Sequence, residues 1–240
     1  MTLMAQFSRT SQLLYEKGAC SALAYLTHIV VGACMLWSTG DSKAQAGVGK
    51  PHGVHAKQLA AERIPIEGRL AAAFRIADRD GEHILVLSRK SGASPSAPHS
   101  GRIERVDLRA DFYRRLSPGQ WQREWTIRDM SDCPGLDVDG EFFTAQVRFT
   151  DLNKDGKAEV TVPYSLYCGG GVDPSTIKVI LREGATKLAI RGASLVQPRQ
   201  PGVEAFGGER KLDAALNKPE AALYRQHMTA IWDQVAVEKR

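Results

Sequence analysis

The sequence predicts a mainly β (α+β) fold, an antiparallel hairpin-rich sheet or sandwich with a carboxyl-terminal amphipathic helix. At least seven short apolar runs follow one another, and polar turn residues separate them. Two of these turns, at Asp80-Gly81 and at Glu183-Gly184-Ala185, are tight enough to join neighbouring antiparallel strands. The last twenty or so residues change to helical spacing. Strands joined mainly by hairpins favour an antiparallel sheet.

The first 46 residues have the three parts of a secretory signal peptide. Arg9 and Lys17 precede an uncharged run over residues 19–37, and the small residues of Ala44-Gln45-Ala46 follow it. We expect cleavage after Ala46, so that residues 47–240 are exported to the periplasm or secreted. No membrane span would then remain.

Two other fates of the leader stay open. The uncharged run approaches the length of a bilayer span, so it would serve as a permanent anchor if it were not cleaved. Val31-Gly32-Ala33-Cys34 loosely fits a lipid-attachment box, which would make the chain a lipoprotein. All three alternatives place residues 47–240 outside the cytoplasm.

Residues 47–63 are rich in glycine, alanine and lysine, and they predict a flexible linker before a single domain over residues 64–240. That domain begins with strands over 68–77 and 82–88, joined by the Asp-Gly turn. The polar segment over 91–101 predicts a loop, and the segments over 103–113 and 121–130 predict two further strands. Trp121, Trp125 and Ile127 have even spacing, which predicts that they share one face.

The remaining strands flank two turns. Segments over 142–150 and 158–167 enclose a polar loop, and segments over 176–182 and 187–194 form a second predicted hairpin. A helix is predicted over 219–237, because Pro219 suits a first helical turn and apolar residues recur at helical spacing beyond it. Its buried stripe would comprise Leu223, Tyr224, Met228, Ile231, Trp232 and Val235.

The loop between the third pair of strands has the ligand spacing of a calcium site. Asp151, Asn153 and Asp155 alternate, Gly156 follows, and Glu159 stands at the ninth position. Calcium loops take side-chain oxygens at the first, third and fifth positions and a backbone carbonyl at the seventh, which is Lys157 here. The spacing therefore predicts a calcium ion held by Asp151, Asn153, Asp155, the Lys157 carbonyl and Glu159.

A plain hairpin turn is the alternative, since Asp and Asn side chains also cap their own backbone. The loop is not an EF-hand, because Val162 takes the place of the bidentate glutamate and the flanks are strand-like. It resembles the D-x-[DN]-x-D-G-x-x-[DE] loops of secreted β-rich proteins such as the FG-GAP-type repeats. The ninth residue of those loops supplies the last carboxylate.

The wider chain, over roughly residues 70–236, resembles an uncharacterised family of exported bacterial proteins, some of them labelled surface-polysaccharide biosynthesis proteins. The resemblance rests on these segments: Asp132-Cys133-Pro134, the loop from Phe149 to Gly156 with Glu159, Tyr164, Cys168, Asp173, Ser175 to Lys178, and Ala189 to Gly192. It implies export, the loop and a terminal helix, but no activity. Asn153 stands where the second aspartate is usual.

The chain has four cysteines, of which Cys20 and Cys34 lie in the leader. Cys133 and Cys168 remain, and an even pair in an oxidising compartment predicts a disulfide. Two buried free thiols are the alternative. Neither cysteine belongs to a C-x-x-C pair, which argues against redox chemistry.

Charge and motifs limit the function classes. Thirty-two basic and 27 acidic residues are mixed along the chain, which indicates a solvated surface and not a nucleic-acid interface. No H-E-x-x-H or G-x-S-x-G motif occurs. A carboxylate pair of the glycosidase kind could come from Asp137, Asp139 and Glu141. An aromatic sugar platform could be built from Trp121, Trp125, Tyr164 and Tyr167, although core packing is the ordinary role of these aromatic residues.

The sequence therefore favours a non-enzymatic, calcium-stabilised envelope or binding module. Its expected partner is an envelope glycan or another envelope protein. Nucleic acid is not expected as a partner, and no membrane span is expected after signal cleavage. The alternative is a carbohydrate-active or accessory enzyme of surface-polysaccharide biosynthesis. A cleft with paired carboxylates would favour the enzyme, whereas an aromatic face without such a cleft would favour the module.

Overall fold

The computed structural model describes residues 47–239. The predicted signal peptide and its cleavage after Ala46 lie outside these residues. Two antiparallel sheets pack face to face, so the predicted β-rich fold with a carboxyl-terminal helix is confirmed. Among residues 47–239, no helix is both long and apolar enough to cross a membrane.

The first sheet is an antiparallel meander in which each strand pairs with the next. Its strands are β1 (His52–Gly53), β2 (Arg69–Asp78), β3 (Gly81–Gly92), β4 (Arg105–Ser117) and β5 (Gln120–Asp132). The Asp-Gly turn is confirmed, because Asp78 pairs with Gly81 across a two-residue loop. Gly81 has a positive φ of 120°, which a side chain would strain.

The second sheet consists of β6 (Asp137–Phe142), β7 (Arg148–Thr150), β8 (Glu159–Gly169), β9 (Thr176–Glu183), β10 (Thr186–Ala193) and β13 (Arg210–Leu212). Its strand order is β13-β10-β9-β8-β6, and β7 also pairs with β8. The predicted hairpin after Glu183 is confirmed, because β9 and β10 pair in continuous register from Glu183 with Thr186 to Thr176 with Ala193.

A third, small sheet joins three short strands, β11 (Leu195–Gln197), β12 (Phe206–Gly207) and β14 (Val237–Lys239). β14 pairs in parallel with β11, through Val237 opposite Leu195. The terminal helix α2 (Ala222–Val235) follows a short 3₁₀ turn over Pro219–Ala221. The helix predicted over 219–237 therefore starts as expected but ends at Val235, because the last residues pair as a strand.

Three apolar clusters hold these layers together. The central cluster lies between the two main sheets and contains Leu85, Phe112 and Trp125 from the first and Val160 and Val162 from the second. On the far side of the second sheet, side chains of β9 and β10 pack against α2. Most of the predicted helix stripe is buried there, namely Met228, Ile231, Trp232 and Val235, whereas Leu223 is exposed.

The third cluster corrects the prediction of a flexible linker over residues 47–63. This segment contains β1 and a short helix, α1 (Ala56–Ala61), and it lies across the outer face of the first sheet. Leu59 is fully buried there with Val54, against Ile84 and Tyr113 of the sheet. Alanine and glycine richness misled the prediction, because a few apolar anchors are enough to fix the segment. We call residues 47–66 the amino-terminal arm.

Candidate functional site

The predicted metal loop connects β7 to β8, so the strand–loop–strand arrangement is confirmed. Thr150 and Glu159 pair across its base. Glu159 is therefore the first residue of β8, while Asp151, Asn153, Asp155 and Lys157 lie within one turn. Two residues of the turn have positive φ, Lys154 at 60° and Gly156 at 81°.

Side chains of this turn cap its own backbone. The N–H of Asp155 donates to Asn153 Oδ1 at 3.0 Å, and the N–H of Lys157 donates to Asp155 Oδ1 at 2.8 Å. The N–H of Gly156 donates to Asp151 Oδ2 at 3.1 Å. These three hydrogen bonds are typical of Asx turns, and they hold the loop in shape without any ion.

Glu159 closes the base of the turn. It is fully buried, and both of its carboxylate oxygens accept the N–H of Leu152, at 2.9 and 3.0 Å. Burial raises the pKa of the Glu159 carboxyl above its ordinary value, although the N–H donors of Leu152 and Asn153 oppose this shift. The carboxylate thus faces the loop backbone.

One buried oxygen of the turn, Asp151 Oδ1, accepts no hydrogen bond and is therefore available to contact a cation. Within residues 47–239, however, no group of three or more His, Cys, Asp or Glu side chains is arranged to hold a metal ion. Asn153 also turns its amide to Glu183 Oε1, at 2.8 Å. The five predicted ligands are neighbours in the fold, and whether they bind an ion together stays a prediction.

The loop also rests on the first hairpin of the other sheet. The N–H of Ala158 donates to Asp78 Oδ2 at 2.9 Å, and the N–H of Arg79 donates to the Gly156 carbonyl at 2.8 Å. Lys157 Nζ pairs with Asp80 Oδ2 at 2.8 Å. Sequence reasoning missed Asp78. The similar spacing of Asp78-x-Asp80-Gly81 and Asn153-x-Asp155-Gly156 was a signal that the two turns are related.

The Cys133–Cys168 disulfide is present, with 5.6 Å between the two Cα atoms. Cys133 follows β5 of the first sheet, and Cys168 lies in β8 of the second. The bond therefore links the two sheets covalently. Cys133 is buried and Cys168 is exposed.

A cavity of about 800 Å³ lies on the outer face of the first sheet, beyond the end of the amino-terminal arm. Charged residues line it: Glu67, Lys90, Arg105, Asp107, Arg109, Arg128 and Asp129, the last of which is paired with Lys178. Strand alternation explains this lining, because Val106, Leu108 and Ala110 of β4 face the central core and the residues between them face outward. We call this the outer cavity.

Two arginines of the outer cavity are bound by neighbouring carboxylates. Arg105 binds both oxygens of Asp107, at 2.7 and 2.9 Å, and this contact holds the pKa of the Asp107 carboxyl below its ordinary value. Arg109 is held in the same way by Asp111, and its remaining Nη1 pairs with Glu67 at 2.9 Å. These contacts fix both guanidinium groups.

The other two cations of the outer cavity are exposed. In the described part of the chain, the side chains of Lys90 on β3 and Arg128 on β5 form no salt bridge or hydrogen bond, although the charge of Lys90 acts on the neighbouring Asp107. The register places Arg128 beside Arg109 and Lys90 beside Asp107. Sequence reasoning missed this cluster, although arginine and aspartate alternate at every second position from Arg105 to Asp111.

The aromatic platform proposed from the sequence is not assembled. Trp125 stacks on Phe112 inside the central core, and Tyr164 is buried with its hydroxyl on Asp129. Burial raises the pKa of the Tyr164 hydroxyl, and Asp129 adds to the rise. Trp121 lies on the outer face, where its indole N–H donates to Glu62 at 2.9 Å.

Asp137, Asp139 and Glu141 alternate along β6, so they share one face of that strand. Asp139 pairs with Arg89 of the first sheet, at 2.8 Å. Asp139 and Glu141 also line a small cavity of about 240 Å³ near the end of α2. The structure therefore places one of these carboxylates in an ion pair between the sheets.

Comparisons with family models, with curated proteins and with solved structures find no match for this chain. The resemblance to exported bacterial proteins therefore stays a prediction. What the chain does has to be argued from the loop and the outer cavity.

Proposed function

We propose that this chain is an exported, non-enzymatic binding module, and that the outer cavity holds its ligand, an envelope glycan. The single observation that carries this proposal is the cavity itself. Its volume of about 800 Å³ falls within the range usual for ligand sites, roughly 300–1,000 Å³. Its polar groups other than Glu67 project from three neighbouring strands, which favours a preorganised site.

The chemistry of the lining suits a polyhydroxyl ligand. Guanidinium and carboxylate groups donate and accept hydrogen bonds at fixed positions, and the aliphatic parts of Met130 and Pro95 supply apolar contact. Because the cavity is open to solvent along the sheet, a chain-like ligand has room to continue beyond it. A glycan chain fits both conditions.

The disulfide supports the proposed export. A bond that joins the two sheets between Cys133 and Cys168 is expected in an oxidising compartment and is rare in the cytoplasm. Together with the predicted leader, it favours the periplasm or the extracellular space.

The binding proposal is tested by titration calorimetry of residues 47–240 with neutral and acidic bacterial polysaccharide fragments. Met130 lines the cavity and its side chain is exposed, so Met130→Trp should block the site without disturbing the core. Leu223→Trp, on the exposed face of α2, is the matched control. We expect binding by the native and control proteins, and its loss in Met130→Trp.

Two results would overturn the binding proposal. One is that none of the fragments binds; the other is that Met130→Trp binds them as well as the control does. The same mixtures are assayed for new reducing ends. Their release by the native protein would identify a carbohydrate-active enzyme, which is the alternative function.

We also propose that calcium binds the loop and stabilises the fold. The observation behind this proposal is Asp151 Oδ1, a buried carboxylate oxygen without a hydrogen-bond partner. Desolvating such an atom is unfavourable, and a cation would offset the cost. The ligands would be Asp151, Asn153, Asp155 and the Lys157 carbonyl. In this proposal Glu159 contributes by holding the loop through its backbone contacts.

The calcium proposal is tested by melting the mature domain in chelator and in excess calcium. At about 100 times the dissociation constant, binding should add roughly 2.7 kcal/mol to the free energy of unfolding. Asp155→Ala should remove this gain, whereas Asp80→Ala should keep it, because the Asp80 carboxylate pairs with the side chains of Lys157 and Arg79 and is not one of the proposed ligands. Identical melting in both conditions would leave the loop as a structural turn.

A further inference from the structure

We infer that the outer cavity takes an acidic glycan, and that Glu67 occupies its most buried cation until the ligand arrives. This inference rests on the proposed function and deepens it, because it names the charge of the ligand and an internal competitor. The first step is the placement of four cations, Lys90, Arg105, Arg109 and Arg128, on one face of three adjacent strands.

The second step is the balance of charge in the cavity. Asp107 neutralises Arg105, and Asp111 neutralises Arg109. Lys90 and Arg128 are left without a salt bridge in the part of the chain that the structure describes. The four cations exceed the carboxylates of Glu67, Asp107 and Asp111 by one charge, and by two once Glu67 turns away, while Asp129 is neutralised by Lys178. This positive excess attracts an anion, and partial shielding by the sheet strengthens the attraction relative to open water.

The third step concerns Glu67, which lies between the amino-terminal arm and β2. Its carboxylate meets Nη1 of Arg109 at 2.9 Å, yet the Glu67 side chain is 59% exposed while that of Arg109 is 7% exposed. An exposed carboxylate gains little from such a contact. A ligand carboxylate, sulfate or phosphate can therefore replace it by rotation of the Glu67 side chain alone.

The fourth step distinguishes a glycan from a nucleic acid. Single-stranded nucleic acids bind where aromatic side chains stack on their bases along a basic groove. Among the described residues 47–239, no Phe, Tyr or Trp lines the cavity, and its apolar contacts come from Met130 and Pro95. The lining thus offers charges at fixed spacing without a stacking surface, which suits an acidic sugar chain.

The probe is an oligomer of galacturonic acid, with the same oligomer methyl-esterified as its uncharged match and a single-stranded oligonucleotide of equal charge. We expect the acid form to bind and the ester to bind at least tenfold more weakly. Affinity for the acid form should also fall as salt rises, since exposed charges are screened within about 10 Å at 0.1 M.

The variants separate the two parts of the inference. Lys90→Gln and Arg128→Gln should each weaken binding of the acid form several-fold, whereas Arg199→Gln, an exposed arginine outside the cavity, should leave it unchanged. Glu67→Gln should tighten binding several-fold, because the internal competitor is removed. The melting temperature of each variant confirms that it is folded.

The outcomes are distinguishable from failure of the proposed function. If the ester and the acid bind equally, with no effect of Lys90→Gln or Arg128→Gln, the site binds glycans and the inferred charge is wrong. Preference for the oligonucleotide would overturn the acidic glycan as the ligand. If both lysine and arginine variants weaken binding but Glu67→Gln does not tighten it, Glu67 is no competitor. Binding of no glycan at all would remove the proposed function as well.

Discussion

The carboxylate of Asp78 accepts a hydrogen bond at 2.9 Å from the backbone N–H of Ala158, 80 positions further along the chain. This contact joins the first hairpin of one sheet to the loop over residues 151–159 of the other. Asp78 also accepts from His83 Nε2 at 2.9 Å and from the N–H of Asp80 at 2.8 Å. Burial alone would raise the pKa of Asp78, but the hydrogen bonds from His83 and Ala158 outweigh it and hold the pKa below its ordinary value.

Asp78→Ala is expected to lower the free energy of unfolding by about 3 kcal/mol, because it leaves buried donors without a partner. The matched control is Asp80→Ala. Asp80 is half-exposed and pairs with Lys157 at the surface, so its loss should cost no more than about 1 kcal/mol. Urea denaturation measures both changes. Equal effects of the two variants would contradict a special role for Asp78.

Leu59→Ala should destabilise the protein by about 2–5 kcal/mol, since Leu59 is fully buried under the amino-terminal arm. Leu223→Ala, on the exposed face of α2, should cost less than about 0.5 kcal/mol. Both values come from urea denaturation of residues 47–240. A Leu59→Ala protein as stable as the native one would show that the arm does not contribute to the fold.

Replacing both Cys133 and Cys168 with alanine should cost about 4 kcal/mol on the chain-entropy account, given a sequence separation of 35 residues. The native protein, denatured without reductant, should react with no thiol reagent at these positions. Two labelled cysteines would show that the bond does not form.

His227 predicts a pH dependence of stability. His227 lies on α2, and its Nε2 is 3.0 Å from the hydroxyl of Thr161 on β8. Burial lowers the pKa of its imidazole below 6.5, and Arg148 adds to the shift. The unfolded chain therefore binds a proton at a higher pH than the folded chain does. Stability should be greatest above about pH 6.5, and this contribution should be lost as the pH falls from there through the lowered folded-state pKa.

The measurement for His227 is the free energy of unfolding between pH 7.5 and pH 5. His227→Gln keeps a hydrogen-bonding side chain but cannot titrate, so its stability should fall less steeply over this range than that of the native protein. All other groups are common to both proteins and cancel in the comparison. Parallel curves would exclude His227 as the cause of the pH dependence.

Local signals in the sequence predicted much of the fold. The Asp80-Gly81 and Glu183-Gly184-Ala185 turns, the strands around them and the helix that starts at Pro219 depend on residues close together in the chain. The shared face that we predicted from strand spacing was wrong where the backbone is irregular. Trp121, Trp125 and Ile127 do not share a face, because the register shifts at Glu124 and turns Trp121 outward.

By itself, the sequence determined the class of fold, the cysteine pair and the shape of the loop over residues 151–159, because each follows from local periodicity, residue count or turn chemistry. Only the tertiary structure decided that Asp78 supports this loop and that Glu67 meets Arg109 in a cavity. Those pairs are distant in sequence, and their meeting depends on how the arm and the two sheets bury their apolar faces against one another.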